Sequence, residues 1–517
     1  MQFENLDYQK ITKYCRQGYF PYTSSKDKQG YVITEQSIIS SFKENDLEFT
    51  LVTRAEFFSI LQSHFKHELE DNAINQLDRI GQNLSARGIN YKQLFSIFIT
   101  IFFTFMILAK NIFAVINSVV YLIQNMLKAI LFHKGLANIT EQHHSFKIND
   151  TLPIYSILVP LYKEEKKVAS IIRALGNLNY PKDKLDIKLI LEEDDDMTLN
   201  AISDITLDKH IQFIRVPYFL PRTKPKALNY AMPFVVGQYL TVYDAEDEPD
   251  PDQLLKALDA FSNLPDDYVC LQSKLNFYNA KENILTTLFS IEYSIWFEYL
   301  LKGLDLLGLP ITLGGTSNHF KVDKLKEVGS WDAYNVTEDA DLGIRLYLRG
   351  YKVSMINSTT LEEVPNNLKD WTMQRSRWIK GFIQTILVFL CNKNNFVKLG
   401  LLKSATVITF IGLSTYSILF LPWLFFILYL DLNQFSYCIW LINSLFSFSY
   451  LYAIAYFVLA KNDSQISIKT AYGILVLLIW PFYFILHTIA GYKSIFDIIT
   501  SPFKWSKTPH GNNKLKR

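Results

Sequence analysis

Cysteine is scarce in this chain. Cys15, Cys270, Cys391 and Cys438 are the only four in 517 residues, and they stand far apart with no paired spacing. A cysteine-based zinc motif or a disulfide framework is therefore not expected, and reduced thiols fit the pattern. An excess of charge of either sign is also missing. Lys+Arg 52 against Asp+Glu 50 leaves a net charge of +2, whereas a nucleic-acid partner would require a dominant basic surface. The opening Met1-Gln2-Phe3-Glu4-Asn5 has neither a basic start nor an apolar core. It does not read as a secretory signal, so the first segment is expected in the cytoplasm.

Apolar residues are abundant. Hydrophobic residues make up 49% of the chain and aromatic ones 15%, which suits a membrane protein because Trp and Tyr favour bilayer interfaces. Composition divides the chain into a charged segment 1–92, an apolar segment 93–134, an α/β segment 135–370, an amphipathic segment 371–394, an apolar segment 395–500 and a basic tail 501–517. The first apolar segment is too long for one span of roughly 20 residues and suits a hairpin of two. Lys110-Asn111 would form its turn, and Lys128, His133 and Lys134 its cytoplasmic flank. The rival is a buried helix pair in a soluble core. Later apolar stretches near 404–431, 434–460 and 470–490 are each long enough to span. Three crossings would put the tail outside, yet its Lys504, Lys507, Lys514, Lys516 and Arg517 favour the inside. In 371–394, Trp371, Trp378, Phe382 and Leu390 recur near helical spacing between Arg375, Arg377 and Lys380. That pattern predicts an interfacial amphipathic helix.

The α/β segment carries the chemistry. Ile154–Pro160 reads as a buried strand, Val168, Ile171, Ile172 and Leu175 as a helix face, and Ile187–Leu191 as a second strand that runs into Glu192-Glu193-Asp194-Asp195-Asp196. Strand, helix and strand in this rhythm imply a parallel sheet, whose ligands sit at the carboxyl ends of its strands. A third strand, Tyr239–Tyr243, ends in Asp244-Ala245-Glu246-Asp247. Two carboxylates one residue apart can hold a hard divalent cation, although such triplets are also ordinary solvated loops. Thr337-Glu338-Asp339 precedes the helical pattern Leu342, Leu346, Leu348. A carboxylate there can act as a general base or cap the helix, and two acids allow both. Gln374-Arg375-Ser376-Arg377-Trp378 offers two arginines, either to clamp a phosphate or to reach lipid headgroups.

As an ordered set these motifs resemble the processive, membrane-integrated family 2 glycosyltransferases, which include cellulose, chitin, hyaluronan and poly-N-acetylglucosamine synthases. The resemblance covers residues from about 150 to 390. Its wording at Leu191-Glu192-Glu193-Asp194-Asp195, Asp244-Ala245-Glu246-Asp247 and Trp505-Ser506-Lys507-Thr508-Pro509-His510-Gly511 is similar to bacterial synthases of the XagB and NfrB type. It implies an α/β GT-A (nucleotide-diphospho-sugar transferase) domain flanked by transmembrane helices, with a small α/β N-terminal domain. That small domain resembles a shortened N-terminal domain of type II secretion ATPases, without the helices that would bind cyclic di-GMP.

The resemblance implies an inverting hexosyltransferase. It would extend a polysaccharide from a nucleotide-diphospho-sugar, a UDP-sugar by preference. Asp339 is implied as catalytic base. Pro160, Tyr162, Glu164, Glu192, Glu193, Lys224, Asp244, Arg375 and Arg377 would bind the donor. Glu192-Glu193 stands where the family usually has two aspartates, and Lys224-Pro225-Lys226 matches its lysine-containing motif. Gly315, Thr316, Ser317, Glu338, Gln374 and Trp378 would face the acceptor, a growing glycan. Asp244, Glu246 and Asp247 would hold Mg²⁺ or Mn²⁺. The implied setting is a multi-pass protein of the plasma (bacterial inner) membrane with a cytoplasmic catalytic domain, embedded in the lipid bilayer and served by export or assembly partners. Two alternatives are transfer of a single sugar to a lipid carrier, and an inactive receptor or assembly module.

Overall fold

The computed structural model describes residues 3, 6–23, 29–42, 47–81, 83–108, 110–137, 152–203, 205, 207–420 and 470–511. Its centre is an eight-stranded sheet built from β4 (Tyr155–Leu161), β5 (Leu185–Glu192), β6 (Ile211–Val216), β7 (Tyr239–Val242), β8 (Glu248–Pro249), β9 (Tyr268–Phe277), β10 (Asn318–Lys321) and β11 (Lys352–Glu362). The strand order is β6-β5-β4-β7-β10-β9-β11-β8. β4, β5, β6 and β7 run parallel, and β9 is parallel to β11. β10 is antiparallel to both of its neighbours, and β8 is antiparallel to β11. The sheet is therefore mixed, which corrects the all-parallel expectation. The strand–helix rhythm that suggested a parallel sheet holds only from β4 to β7. The order reverses between β4 and β7, and such a switch point opens a crevice at the strands' carboxyl ends.

β5 is buried at every position, as a strand covered on both faces by helices should be. A separate three-stranded sheet, β1 (Tyr19–Thr23), β2 (Gln29–Ile33) and β3 (Glu48–Leu51), forms the N-terminal unit with the helices Arg54–His64 and Lys66–Ile80. Thr53 and Glu56 close a capping box at the first of these helices. The unit packs on the α/β domain through a continuous apolar core in which Phe58, Leu61 and Leu69 join Phe234 and Leu228.

The helices Tyr91–Leu108 and Lys110–Leu136 occupy the expected hairpin segment. Among the described residues, Leu401–Phe420 is the one helix long and apolar enough, by length and composition, to cross a membrane. The expected stretch 404–431 ends outside the described residues from 421 onward, 434–460 lies wholly outside them, and 470–490 falls within the helix Thr470–Thr500. The expected interfacial helix is Leu368–Cys391, and its surroundings differ from the sequence reading. Trp371, Arg375, Ser376, Lys380, Gly381 and Gln384 are all buried on it. The helix is sandwiched between the α/β domain and Thr470–Thr500, because its polar residues find partners in both.

Two glycines fix how the apolar helices meet the domain. A Cβ on Gly303 would lie 2.2 Å from the Leu131 carbonyl oxygen, and one on Gly135 would lie 2.3 Å from that of Tyr299. The two backbones touch there, as small residues allow between closely packed helices. We predict that Gly303→Val forces them apart and destabilises the protein by about 1–3 kcal/mol, the usual cost of overpacking. Gly176→Ala, where a Cβ meets nothing within 4 Å, is the control. Thermal unfolding in detergent checks this, and equal midpoints for the two variants would refute the contact.

Candidate active site

The strand ends at the switch point open into a cavity of about 970 Å³. Pro160, Tyr162 and Glu164 reach it from the end of β4, Glu192 from β5, and Asp244 and Glu246 from the turn after β7. Glu338 and Asp339 enter on the first turn of the helix Glu338–Leu348, and Gln374, Arg375, Arg377 and Trp378 from the helix Leu368–Cys391. Gly315 and Thr316 line it from the loop before β10. Elements far apart in sequence thus converge at one end of the sheet.

Lys224 is the hub of the acidic side. Its Nζ lies 2.5 Å from Asp244 Oδ1 and donates to the Gly315 carbonyl at 2.7 Å. Burial works against the ammonium, but Asp244 and Glu338 outweigh it and raise its pKa. Gly315 leaves room beside both partners: a Cβ there would sit 3.5 Å from Asp339 Oδ2 and 3.9 Å from Lys224 Nζ. The Asp339 Oδ1 atom accepts the Ala340 N–H at 2.8 Å. Burial pushes Asp339 up to about 6, restrained by that N–H and by Lys224 and Arg377. Burial and then the Asp339 charge push Glu338 up to about 8. Both carboxyls are thus raised by burial, and Glu338 more strongly than Asp339.

Several expected residues take other roles. Arg375 is bonded to Glu292 through two parallel hydrogen bonds of 2.9 and 2.6 Å. Tyr483 donates to the same carboxylate at 2.8 Å. Burial would raise Glu292, yet Arg375 outweighs it and holds the carboxyl down at about 2. That leaves Arg377 as the guanidinium facing Glu338, Asp244 and Asp339. Glu192 is held by Lys226, whose Nζ lies 3.0 Å away, while Glu193 is exposed and outside the cavity lining. Asp247 turns inward. Its Oδ2 accepts the Asp244 N–H at 2.7 Å and the Thr316 hydroxyl, so it braces the acid turn from behind. Ser317 is fully buried and bonds Thr360 Oγ1 at 2.6 Å, behind the cavity wall.

The tail contributes what the motif reading did not assign. Lys507 Nζ lies 2.9 Å from Glu164 Oε1, His510 Nδ1 lies 2.7 Å from Glu246 Oε1, and the Gly511 N–H donates to Glu363 Oε2 at 2.9 Å. Arg377 stacks over the Trp505 ring at 4.4 Å. Trp505–Gly511 therefore runs across the mouth of the site. Burial would raise Glu246, but His510 prevails and lowers it, while burial and the Glu246 charge push Glu164 up. Glu362 also reaches the cavity, from the end of β11. The signal available in the sequence was a lone histidine and lysine in a Trp-Ser-Lys-Thr-Pro-His-Gly string, with no spacing rule to tie them to Glu164 and Glu246. A divalent cation fits this set. Glu164, Glu246 and His510 each bring one ligand atom within 4.8 Å of the others, and Asp244 adds a hard oxygen beside them. Carboxylates with a single imidazole suit Mn²⁺ or Mg²⁺.

Residues 239–486 match the family model Glycosyl transferase family group 2. A probable glycosyltransferase, YdaM of Bacillus subtilis, is 29% identical over 245 residues, 46% of this chain and 57% of that protein. The beta-monoglucosyldiacylglycerol synthase of Trichormus variabilis is 26% identical over 258 residues, 49% of this chain and 54% of that one. The matches thus span a little over half the length of these relatives. Among solved structures, the mannosyltransferase PcManGT from Pyrobaculum calidifontis aligns at 15% identity with a TM-score of 0.45, over 74% of this chain and 99% of that one. Over residues 239–486, from β7 through the Gln-Arg-Ser-Arg-Trp helix and beyond it, this chain is therefore similar to the family 2 glycosyltransferases.

Proposed function

We propose that the protein extends a membrane-bound glycan from a nucleoside-diphospho-sugar by inverting transfer, with Asp339 as base. One observation carries the glycan part. The cavity does not end at the acids but continues between the helices Lys110–Leu136 and Leu401–Val407 with its continuation to Phe420, where Gln124, Ser414, Ser417 and Thr488 line it. Three of these groups are linked: Gln124 Nε2 donates to Ser414 Oγ at 2.6 Å, and Ser417 Oγ donates to Gln124 Oε1 at 2.7 Å, while the Thr488 hydroxyl donates to the Ile418 carbonyl at 3.0 Å. Polar groups between apolar helices are costly unless they serve a polar occupant or each other. At the neck, Trp378 lies roughly parallel to Tyr293, and Trp296 to Phe410. Aromatic faces of this kind pack well against the apolar faces of sugar rings.

In this reading the donor diphosphate lies against Arg377 and Lys224, whose charges favour its departure. A divalent cation on Asp244 and Glu246, when bound, would neutralise the leaving group. Asp339 accepts the proton of the acceptor hydroxyl as that oxygen attacks the anomeric carbon from the face opposite the diphosphate. Protonated Glu338 supplies a hydrogen bond rather than a second negative charge. The same reading has the chain inserted in the plasma membrane by more than one span with the α/β domain in the cytoplasm, and the polar lining between apolar helices supports it. A second reading draws on the relative named as a beta-monoglucosyldiacylglycerol synthase. It is transfer of one sugar to a lipid, with the apolar side of the cavity, Phe410, Ile411 and Phe484, taking the acyl chains.

Membranes supplied with labelled UDP-sugars should yield products that lengthen with time. A single lipid-soluble monoglycoside would instead establish the second reading. Asp339→Asn should lower kcat by about 10²–10⁴-fold, the usual worth of a general base. Glu338→Gln, which copies the protonated acid, should stay within about tenfold of wild type, and turnover of both variants at the wild-type rate would remove Asp339 from the mechanism. The pH profile should fall as pH drops through about 6, because Asp339 is ionised above that value and takes up its proton below it. In the absence of turnover, Lys507→Ala should weaken nucleoside-diphosphate binding about tenfold by calorimetry, in line with hydrogen bonds to charged groups. Unchanged affinity would mean that the tail does not reach the bound donor.

A further inference from the structure

The loop that delivers the base, Trp331–Thr337, is held from two sides. One side is the sandwiched helix. Gln384 Oε1 accepts the Val336 N–H at 3.0 Å, and Gly381 lies so close that a Cβ there would be 2.3 Å from Thr337 Oγ1. The other side is the N-terminal unit together with the turn Ala86–Gly88 that follows its last helix and is capped by Ser85, and neither contributes a residue to the cavity lining. Ser85 donates its hydroxyl to Asp332 Oδ1 at 2.8 Å, and the Ala86 N–H donates to Asp332 Oδ2 at 2.7 Å. The same carboxylate accepts the Tyr334 N–H at 3.0 Å, so a single buried side chain fastens the N-terminal turn to the loop. Asn229 makes a second joint. Its Nδ2 donates both to the Ala73 carbonyl at 3.0 Å and to the Trp331 carbonyl at 2.8 Å, while its Oδ1 accepts the Trp331 N–H at 3.1 Å.

Asp332 has no cation within ion-pair distance among the described residues. Its charge is carried by three hydrogen-bond donors, two of them from the N-terminal turn. A buried anion supported this way holds its donors in a fixed geometry, since losing one leaves charge uncompensated in a low dielectric. The loop cannot shift without stretching these bonds, and two residues after Val336 it becomes the turn that carries Glu338 and Asp339.

We infer that the N-terminal unit is a positioning element for the transfer step: Ser85 and Ala86 set Asp332, and Asp332 sets the loop that aims Asp339. Ser85 and Asp332 are positioning residues and touch neither donor nor acceptor. The inference rests on the reading of Asp339 as base, so the test separates the two.

Full-length protein in detergent or native membranes is compared as wild type, Ser85→Ala, Ser85→Thr, Asp332→Asn and Asp339→Asn. Ser85→Ala removes one hydroxyl and leaves the Ala86 N–H in place, so it keeps the test meaningful even if Asp332→Asn folds poorly. Ser85→Ala should lower kcat about tenfold with the donor KM within twofold, and Ser85→Thr should restore it. Amide hydrogen exchange should accelerate several-fold at 332–337 in Ser85→Ala and stay unchanged in β4. Wild-type kcat in Ser85→Ala would overturn the inference, and so would a rise in KM alone or exchange that accelerates evenly across the domain. If Asp339→Asn turns over at the wild-type rate, the base assignment fails by itself, and the exchange measurement still decides whether the turn orders the loop.

Discussion

Seven carboxyl groups converge at the carboxyl end of one sheet: Glu164, Glu192, Asp244, Glu246, Glu338, Asp339 and Glu362. Gathering them in a partly water-free cavity is unfavourable, because each charge loses hydration and repels the others. Much of the surrounding structure answers that constraint. Lys224 sits between Asp244 and the Gly315 carbonyl, Arg377 faces Glu338 and Asp339, and the tail brings Lys507 to Glu164 and His510 to Glu246. Burial, reinforced by the neighbouring acids, raises the proton affinities of Glu338 and Glu164. Carboxylates clustered in this way fit a divalent cation.

The fold makes this gathering possible by its strand order. The reversal between β4 and β7 leaves a crevice where three strand ends present their following turns side by side. The antiparallel β10 then places the Gly314-Gly315-Thr316 loop against the turn after β7, and Asp247 ties the two together through Thr316. The remaining wall is the helix Leu368–Cys391. Its burial between the α/β domain and Thr470–Thr500 explains why its two arginines part company. Arg375 faces the helix Ile284–Ser294 and pairs with Glu292, and Arg377 faces the acids. Charge alone does not distinguish them, whereas two positions along a helix is a rotation of about 200°.

Much of the fold and of the site is legible in the sequence. The strands that became β4, β5 and β7 were readable because a fully buried strand must be a short, continuous apolar run. The acids after them were readable because a site in an open α/β sheet lies at strand ends. The proline-, acid- and arginine-bearing motifs and their order supplied the resemblance to family 2 glycosyltransferases, since local sequence encodes which groups leave each strand and in what sequence they do so.

The tertiary structure decided which of those groups face the same space. It turned Asp247 and Ser317 inward, exposed Glu193, and gave Glu192 to Lys226. It also brought in residues from hundreds of positions away, with Lys507 meeting Glu164 and Ser85 meeting Asp332. Such pairings depend on side-chain direction and on packing between units. Neither has a period or spacing in the sequence, because an ion pair formed across some 340 residues needs only proximity in the folded chain. The sequence by itself thus determined the chemical inventory and the order of the strands' turns. The packing of the helix, tail and N-terminal unit against those turns decided the pairing of charges.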